Sequence, residues 1–226
     1  KTNKVVDDAL DGALVVAEPY TLVAEKGDDP CGNEALATLL KRMEDQRNRL
    51  VVILAGYPAP MGRLLASNPG LASRFNRRLE FKDYSPAELG QIFQNLCDRN
   101  QYVPTPAARA RLLLSFADCL ANRDEHFGNG RLVRNVFENA IRLLANRIAS
   151  LTPLTHELLT RLEAEDIAVQ GASSASLEKA EDPQLCFRAI CPGCQTRSRI
   201  AAEHLGSKVM CQKCQTPFTA DWGEPI

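Results

Sequence analysis

Two pairs of cysteines near the C-terminus restrict the fold of this chain more than any other feature. They are Cys191-Pro-Gly-Cys194 and Cys211-Gln-Lys-Cys214, separated by the 16 residues 195–210. Two Cys-x-x-Cys turns at this spacing are typical of a zinc ribbon, because each turn presents two thiolates to one tetrahedral ion. Strand-like segments flank the pairs at 187–190, 208–210 and 216–220. The sequence therefore predicts a small β-rich zinc ribbon over 186–226, with Cys191, Cys194, Cys211 and Cys214 as its Zn²⁺ ligands.

A rubredoxin-like iron site and four metal-free redox cysteines are the alternatives to zinc. The short spacing and the few aromatic residues favour zinc, and a block of about 40 residues needs a metal to supply its folding energy. His204 and Cys186 lie nearby, but four thiolates already complete a tetrahedral shell, so both are interpreted as bystanders. Metal-type rather than disulfide-type cysteine spacing indicates a reducing compartment, and we predict a cytoplasmic location.

The first 84 residues alternate between strand and helix patterns. Apolar runs predict buried strands at 13–16 and 50–55 and a third strand near 78–81. Helical periodicity is found before the first strand, at 4–10, and between the strands, at 33–45 and 61–66, and residues 67–70 are expected to form a turn. This alternation is typical of a parallel sheet covered by helices, so an α/β domain is predicted over 1–84.

After Tyr84 the strand patterns stop and helical patterns follow. Ser85, Pro86 and Glu88 form a capping-box sequence at the start of the first of these helices. Helices are predicted over 86–100, 106–121, 131–150 and 154–164. The small, polar and aperiodic stretch at 170–183 indicates a flexible linker. We therefore expect an all-helical domain at 85–168 and a linker at 169–185.

Charge and hydropathy exclude some classes of partner. The net charge of -1 gives no overall attraction to nucleic acid or to anionic lipid, and no apolar run approaches the roughly 20 residues of a membrane span. We expect no membrane association. The chain begins at Lys1 in the middle of a helical pattern and shows no signal peptide, which suggests a fragment of a longer protein.

Four segments resemble the CbxX/CfxQ family of AAA+ ATPases, in the family's order and over about residues 1–165. They are KTNKVVDDALDGALVVAEPYTL (1–22), EALATLLKRMEDQRNRLVVILAGY (34–57), SNPGLASRF (67–75) and GNGRLVRNVFEN (128–139). That family includes the red-type Rubisco activases and a sporulation protein of Gram-positive bacteria. The resemblance implies the C-terminal part of an AAA+ parallel sheet followed by a helical lid. It also implies a homo-oligomeric ring, usually a hexamer, that uses ATP and Mg²⁺ to remodel a protein partner.

Two elements of the implied ATP site depart from the family pattern. Phosphoryl transfer needs a phosphate cradle, a magnesium ion and a group that orients water. No Gly-x-x-x-x-Gly-Lys-Ser/Thr motif occurs in these 226 residues, so this chain alone is not expected to hydrolyse ATP. In the Walker B strand, Ala17 replaces the aspartate that supports magnesium, whereas Glu18 matches the glutamate that polarises water. Without the resemblance, Glu18 would be interpreted as a cap on the next loop.

The resemblance assigns four further residues to the site. Arg74 matches the arginine finger that reaches a neighbouring subunit, a role suited to a planar, permanently charged guanidinium. Arg131 and then Arg134 match the sensor-2 region that contacts nucleotide, and Tyr57 lies where many AAA+ proteins carry a sensor residue. The alternatives are a solvated basic turn for Arg74 and helix-surface ion pairs for Arg131 and Arg134 with Glu138 or Asp124.

Three functions follow from these patterns. The first is an ATP-driven remodelling machine whose ribbon recruits a protein client. The second is a catalytically impaired AAA+ scaffold or regulatory subunit, because of Ala17. The third is nucleic-acid binding through the ribbon, but five basic against three acidic residues in 186–226 is a sparse patch for phosphate.

Overall fold

The computed structural model describes residues 1–23, 30–124 and 127–226, which form two compact units, 1–81 and 82–226. Each unit has its own mixture of helices and strands, and the second includes both the helical region and the β-rich cysteine segment. The predicted α/β, helical and β-rich regions are therefore present in the expected order. No helix within these described ranges is long and apolar enough to cross a membrane.

The first unit is built around a pair of parallel strands. Its elements are α1 (Thr2–Asp8), β1 (Gly12–Ala17), a 3-10 turn (Pro19–Leu22), α2 (Pro30–Asp45), β2 (Leu50–Ala55), α3 (Pro58–Ser67) and α4 (Pro69–Arg74). Strand β1 runs parallel to β2, with Gly12 opposite Leu50 and Ala17 opposite Ala55. The carboxyl ends of both strands therefore lie at the same edge. Helix α2 makes the crossover between them and buries Leu36 and Leu39.

The third predicted strand, near 78–81, is wrong. Residues 75–85 have no regular secondary structure, and Leu79 and Phe81 are 85% and 92% exposed. A strand forms only when a neighbour pairs with its backbone, and in the described part of this unit the sheet consists of β1 and β2. In the described residues, the backbone around Leu79 and Phe81 therefore pairs with no strand, and the two side chains stay exposed.

The turn predicted at 67–70 is instead the junction at which α3 ends, at Ser67, and α4 begins, at Pro69. The Asn68 side chain accepts hydrogen bonds from the backbone N–H of Gly70 at 2.9 Å and of Leu71 at 3.3 Å. Pro69 occupies the first helical position, where a missing N–H is harmless. Asn-Pro-Gly thus acts here as a helix start signal.

The second unit begins with a bundle of three long helices and ends with short antiparallel strands. Its helices are α5 (Pro86–Asn100), α6 (Pro106–Ala121), α7 (Gly130–Ile148), α8 (His156–Thr160) and α9 (Ser174–Ala180), with 3-10 turns at Ala164–Asp166 and Ala202–His204. Its strands are β3 (Val103–Pro104), β4 (Arg161–Leu162), β5 (Cys186–Ile190), β6 (Arg197–Ala201), β7 (Lys208–Met210), β8 (Pro217–Thr219) and β9 (Glu224–Pro225).

Local sequence signals explain the bundle. The capping box predicted at the start of α5 is confirmed, because Ser85 Oγ accepts from the Glu88 N–H and Glu88 Oε2 accepts from the Ser85 N–H at 2.8 Å. Phe93 of α5 and Phe137 of α7 pack edge-to-face, with ring centroids 5.7 Å apart. The helix predicted over 154–164 is shorter, because Arg161 and Leu162 leave it to pair in parallel with Val103 and Pro104.

The segment predicted to be a flexible linker contains helix α9. Ser173 caps this helix through its side chain, and its backbone N–H donates to Asp118 Oδ2 of α6 at 2.6 Å. That hydrogen bond holds the pKa of Asp118 below its usual value. The linker prediction is wrong for Ser174–Ala180, since a contact with α6 stabilises a helix that local periodicity does not indicate.

The cysteine-rich ribbon packs directly on helix α6. Leu113 and Leu114 of α6 share one buried cluster with Phe187, Ile200 and Leu205 of the ribbon. The opposite side of α6 packs into the helical bundle through Leu112 and Phe116. Helix α6 is therefore apolar on two sides because it separates two cores.

Trp222 makes a second contact between the ribbon and the helices. A Cβ added to Gly90 of α5 would lie 2.3 Å from Trp222 Cε3, so only glycine admits the indole there. The Arg109 guanidinium of α6 lies 4.8 Å from the centroid of the indole and donates to the Asp221 carbonyl at 3.2 Å. Cation–π attraction and close packing thus fasten the C-terminal segment to α5 and α6.

Candidate nucleotide and metal sites

Glu18 lies at the carboxyl edge of the parallel strand pair. Its backbone N–H donates to the Ala55 carbonyl at 2.7 Å, and its own carbonyl accepts from the Thr21 N–H at 3.0 Å and Thr21 Oγ1 at 2.8 Å. The residue has φ 51° and ψ 49°, a left-handed conformation that costs a non-glycine residue on the order of 1 kcal/mol. These bonds hold that conformation and leave the carboxylate exposed at the edge where parallel α/β sheets bind ligands.

Ala17 ends β1 directly before Glu18 and offers no metal ligand. It lies opposite Ala55 in the ladder, so both strands end in an alanine. In a site of this class, a carboxylate at such a strand end holds Mg²⁺. The end of β1 therefore presents an exposed carboxylate at Glu18 and no metal ligand at Ala17.

Tyr57 lies just beyond β2, at the same edge. It begins helix α3 as its N-cap residue, with φ -69° and ψ 143°, and its side chain is about half exposed. The preceding residue, Gly56, is required by packing, because an added Cβ would lie 2.6 Å from Tyr20 Cε1. The Tyr20 ring therefore lies close to the backbone just after the end of β2.

Arg74 is the last residue of α4. Its Nη2 lies 3.1 Å from Glu44 Oε2, and its Nη1 donates to the Gly70 carbonyl at 3.3 Å. Both side chains of the ion pair are partly exposed, and such pairs contribute about 0–1 kcal/mol. Little free energy therefore opposes the release of this guanidinium towards another anion.

The two predicted lid arginines are on the first turns of α7. Both Arg131 and Arg134 are exposed, and neither side chain makes an ion pair or hydrogen bond with any residue in the described ranges. The alternative of ion pairs with Glu138 or Asp124 therefore finds no support. These guanidinium groups belong to the second unit, whereas Glu18, Tyr57 and Arg74 belong to the first.

Asn129 positions the start of α7 and was missed by sequence reasoning. Its Nδ2 donates to Asp83 Oδ1 at 2.6 Å, and its Oδ1 accepts from the Tyr84 N–H at 3.0 Å. Asp83 also pairs with Arg123 at 2.8 Å. The residue has φ 44° and ψ -121°, an uncommon conformation for a non-glycine residue. The only sequence signal was its position between two glycines in the Gly-Asn-Gly-Arg motif.

The four predicted metal ligands converge. The sulfur atoms of Cys191, Cys194, Cys211 and Cys214 all lie within 4.8 Å of one another. The Cys191–Cys214 and Cys194–Cys211 sulfur pairs are each separated by 3.6 Å. A tetrahedral zinc with bonds of about 2.3 Å requires sulfurs about 3.8 Å apart, so the donor set and its spacing fit that ion.

Two equivalent turns build this cluster. In the first, Cys191 N–H donates to the Thr196 carbonyl at 2.9 Å, and in the second, Cys211 N–H donates to the Thr216 carbonyl at 3.1 Å. Gln195 and Gln215 each follow the second cysteine of a pair and adopt φ 58° and φ 55°. Sequence reasoning missed this repeat, although Cys-Gln-Thr occurs at 194–196 and again at 214–216.

In each of the two turns, a threonine forms a hydrogen bond with the second cysteine of the pair. Thr216 Oγ1 lies 3.2 Å from Cys214 Sγ, and hydrogen bonding with the Thr216 side chain and backbone lowers the pKa of Cys214 to about 6. Thr196 lowers the pKa of Cys194 in the same way, whereas burial raises the pKa of Cys191 to about 11. Metal binding requires thiolates, and the two lowered pKa values favour them.

The two predicted bystanders are engaged elsewhere. His204 Nε2 lies 3.6 Å from Glu203 Oε1, and Cys186 Sγ lies 3.4 Å from the Gln184 carbonyl oxygen. Neither belongs to the four-sulfur cluster. A four-thiolate donor set is therefore complete without them.

Comparison with known proteins relates both units to one family. Residues 85–177 match the AAA lid domain. The chain is 40% identical over 169 residues to a CfxQ homolog of Galdieria sulphuraria, covering 74% of this chain and 55% of that protein. It is 41% identical over 172 residues to the chloroplastic ribulose bisphosphate carboxylase/oxygenase activase of Cyanidioschyzon merolae, covering 74% and 57%. The chain belongs to the CbxX/CfxQ family of AAA+ proteins.

The relatives of this CbxX/CfxQ chain also include a secretion system protein. It is 40% identical over 185 residues to the ESX-1 secretion system protein EccA1 of Mycolicibacterium smegmatis, covering 76% of this chain and 32% of that protein. The chain spans a little over half the length of the CfxQ and activase relatives. The lid match ends at residue 177, before the first cysteine of the cluster, so the ribbon is an addition to the matched lid.

Proposed function

We propose that this CbxX/CfxQ chain is part of a cytoplasmic AAA+ machine that uses ATP and Mg²⁺ to remodel a protein partner. The observation that carries the proposal is Glu18, held by hydrogen bonds at the carboxyl edge of β1 and β2 with its carboxylate exposed. A carboxylate in this position is suited to polarise an attacking water. The similarity to an activase of a carboxylase supports a protein as the partner.

The remaining residues have complementary roles in this proposal. Arg74 extends from one subunit to the ATP of its neighbour in a homo-oligomeric ring, for which a hexamer is expected. Arg131 and Arg134 bind nucleotide phosphates from the lid, and Tyr57 contacts the nucleotide from the strand edge. The family resemblance implies that a P-loop supplies the phosphate cradle, and the P-loop motif does not occur within these 226 residues.

A catalytically impaired scaffold is the second candidate function, and Ala17 favours it. Without a carboxylate at that position, magnesium is held less well and the transition-state charge is neutralised less. The two candidates share the ring and the partner, and they differ in turnover. Kinetics therefore separates them.

Restoring the missing carboxylate should raise ATP hydrolysis. The 226-residue chain alone is expected to show no turnover, and the assembled protein with its P-loop should hydrolyse ATP slowly. In that assembly, Ala17→Asp should raise kcat about tenfold, equivalent to about 1.4 kcal/mol of transition-state stabilisation. Ala17→Asn is the matched control, because it has the same shape without the charge and should give little gain. Steady-state phosphate release at saturating Mg²⁺ measures the rates of the 226-residue chain, the wild-type assembly and the two variants.

Two results would contradict different parts of this proposal. Brisk hydrolysis that Ala17→Asp slows would show that the site is assigned wrongly. If neither the wild-type assembly nor its Ala17→Asp variant hydrolyses ATP, while both still form the ring and bind the partner, the protein is a scaffold.

We further propose that the four-cysteine cluster binds one Zn²⁺ per chain. Elemental analysis of reduced protein should give one zinc, and Cys211→Ser should lose it. Cys186→Ser is the matched control and should keep the metal, because Cys186 lies five residues before the cluster and outside it. One iron per chain, or a cluster without any metal, would contradict the assignment.

A further inference from the structure

The ribbon carries an edge strand with an unusual combination of features. Its three-stranded sheet has the order β6-β5-β9, so β6 is paired on one side only among the described residues. Strand β6 is Arg197–Ala201, and the register places Phe187 opposite Ile200 and Arg188 opposite Arg199. Ile200 faces the buried cluster shared with α6, and the arginines face outward. One edge and one face of this strand are therefore available.

The backbone pattern identifies which groups of β6 lack a partner. Cys191 N–H donates to the Thr196 carbonyl at 2.9 Å, and Ala202 N–H donates to the Leu185 carbonyl at 3.1 Å. Antiparallel partners alternate between bonded and non-bonded pairs, so Ser198 and Ile200 also bond to β5. The N–H and C=O groups of Arg197, Arg199 and Ala201 therefore point away from the sheet.

The outward side chains give this edge a positive charge. Arg197 and Arg199 are exposed, and neither has an ion-pair partner in the part of the chain that the structure describes. The nearby Arg188 is already paired with Glu224 of β9 at 3.5 Å. Two residues along a strand are about 7 Å apart, so the two free guanidinium groups match alternate side chains of a second strand.

We propose that β6 binds an extended acidic segment of a protein partner, which adds to the sheet as a fourth strand. Backbone hydrogen bonds to Arg197, Arg199 and Ala201 would supply affinity, and carboxylates on alternate residues of the segment would meet the two guanidinium groups. Charged side chains on an edge also discourage self-pairing, because two copies of β6 would bring like charges together. The arrangement therefore favours an oppositely charged partner over a second copy of this chain.

An edge strand recognises peptide amides, and this distinguishes a protein segment from nucleic acid. The outward N–H and C=O groups alternate at the spacing of another strand, which a sugar-phosphate chain does not reproduce. The ribbon's basic excess of two charges is also small for phosphate binding. The proposal is independent of ATP hydrolysis, so its failure and that of the AAA+ function can be told apart.

Peptide binding to the zinc-loaded 226-residue chain tests the proposal. The probe is a fluorescein-labelled ten-residue peptide of alternating Glu and Val, with a Lys–Val peptide and single-stranded oligo-dT as comparisons. The Glu–Val peptide should bind, and its affinity should fall several-fold between 50 and 300 mM salt, because salt screens partly exposed ion pairs. The Lys–Val peptide and oligo-dT should bind at least about tenfold more weakly. Fluorescence anisotropy measures all three.

Ala201→Pro separates backbone pairing from charge. Ala201 has φ -70° and ψ 154°, which suit proline, and its N–H points away from β5, so the variant should fold and keep its metal. It should nevertheless reduce Glu–Val binding about tenfold or more, by removing one donor and blocking the edge. Arg197→Glu should cause a similar loss, whereas Lys213→Glu, outside β6, should change affinity less than twofold.

Backbone amide shifts in the wild-type chain provide a second readout that does not depend on variants. The amides of Arg197, Arg199 and Ala201 should shift on addition of the Glu–Val peptide, and those of Lys213 and Glu224 should not. Equal binding of the Lys–Val peptide, preference for oligo-dT, insensitivity to Ala201→Pro, or shifts confined to other strands would each overturn the proposal.

Discussion

Removal of the zinc proposed for the four-cysteine cluster is expected to unfold the ribbon and to destabilise the helical lid with it. Structural zinc contributes on the order of 10 kcal/mol or more to the folding of such small domains, so the ribbon should not remain folded without it. Unfolding would uncover Leu113 and Leu114 of α6, which the ribbon now buries. Each buried leucine is worth about 1.5–3 kcal/mol, so the lid should lose about 3–6 kcal/mol.

Hydrogen exchange resolved along the chain measures this coupling. After treatment with a chelator under reducing conditions, amides of β5 and β6 should exchange at unfolded rates, and protection in α6 should fall more than protection in α7. Cys211→Ser should reproduce the effect without chelator and should not respond further to it. A ribbon that unfolds while α6 keeps its full protection would show that the two parts are energetically separate.

The effect of Gly90→Ala on the free energy of unfolding is expected to have opposite signs with and without the Trp222 side chain. Alanine is the better helix former by about 1 kcal/mol, yet Gly90→Ala should destabilise the wild-type protein by about 1–3 kcal/mol, because its Cβ would lie 2.3 Å from the indole. Trp222→Ala alone should cost about 3 kcal/mol. In the Trp222→Ala background the obstruction is gone, so Gly90→Ala should stabilise by up to about 1 kcal/mol.

Urea unfolding followed by far-UV circular dichroism measures this cycle, because Trp222 is the only tryptophan and its fluorescence is lost in two of the variants. Gly62→Ala in α3 is the matched control. A Cβ there meets nothing within 4 Å, so it should stabilise the first unit whichever residue occupies position 222. Effects of Gly90→Ala with the same sign in both backgrounds would contradict the packing described for Trp222.

Elements with a complete local signal were predicted well. Strand β2 and helices α5 and α6 have the predicted bounds, since apolar runs, N-caps and prolines at the first helical position are all encoded in neighbouring residues. The cysteine pairs predicted the convergence of four sulfurs, because each pair forms its own turn. The similarity to the CbxX/CfxQ family predicted the lid, although the roles of Glu18, Arg74 and Arg131 stay predictions.

Elements that depend on distant partners were decided by the tertiary structure alone. Residues 78–81 have a strand pattern but pair with no strand among the described residues, and 174–180 have no helical pattern but form α9 against Asp118 of α6. The attachment of the ribbon to α6 also has no local signal, because Leu113 and Leu114 look like ordinary core residues of a helix. By itself, the sequence determined where turns, caps and metal ligands lie, since each is a short-range interaction. Only the fold decided which surfaces meet, because burial and strand pairing join residues far apart in the chain.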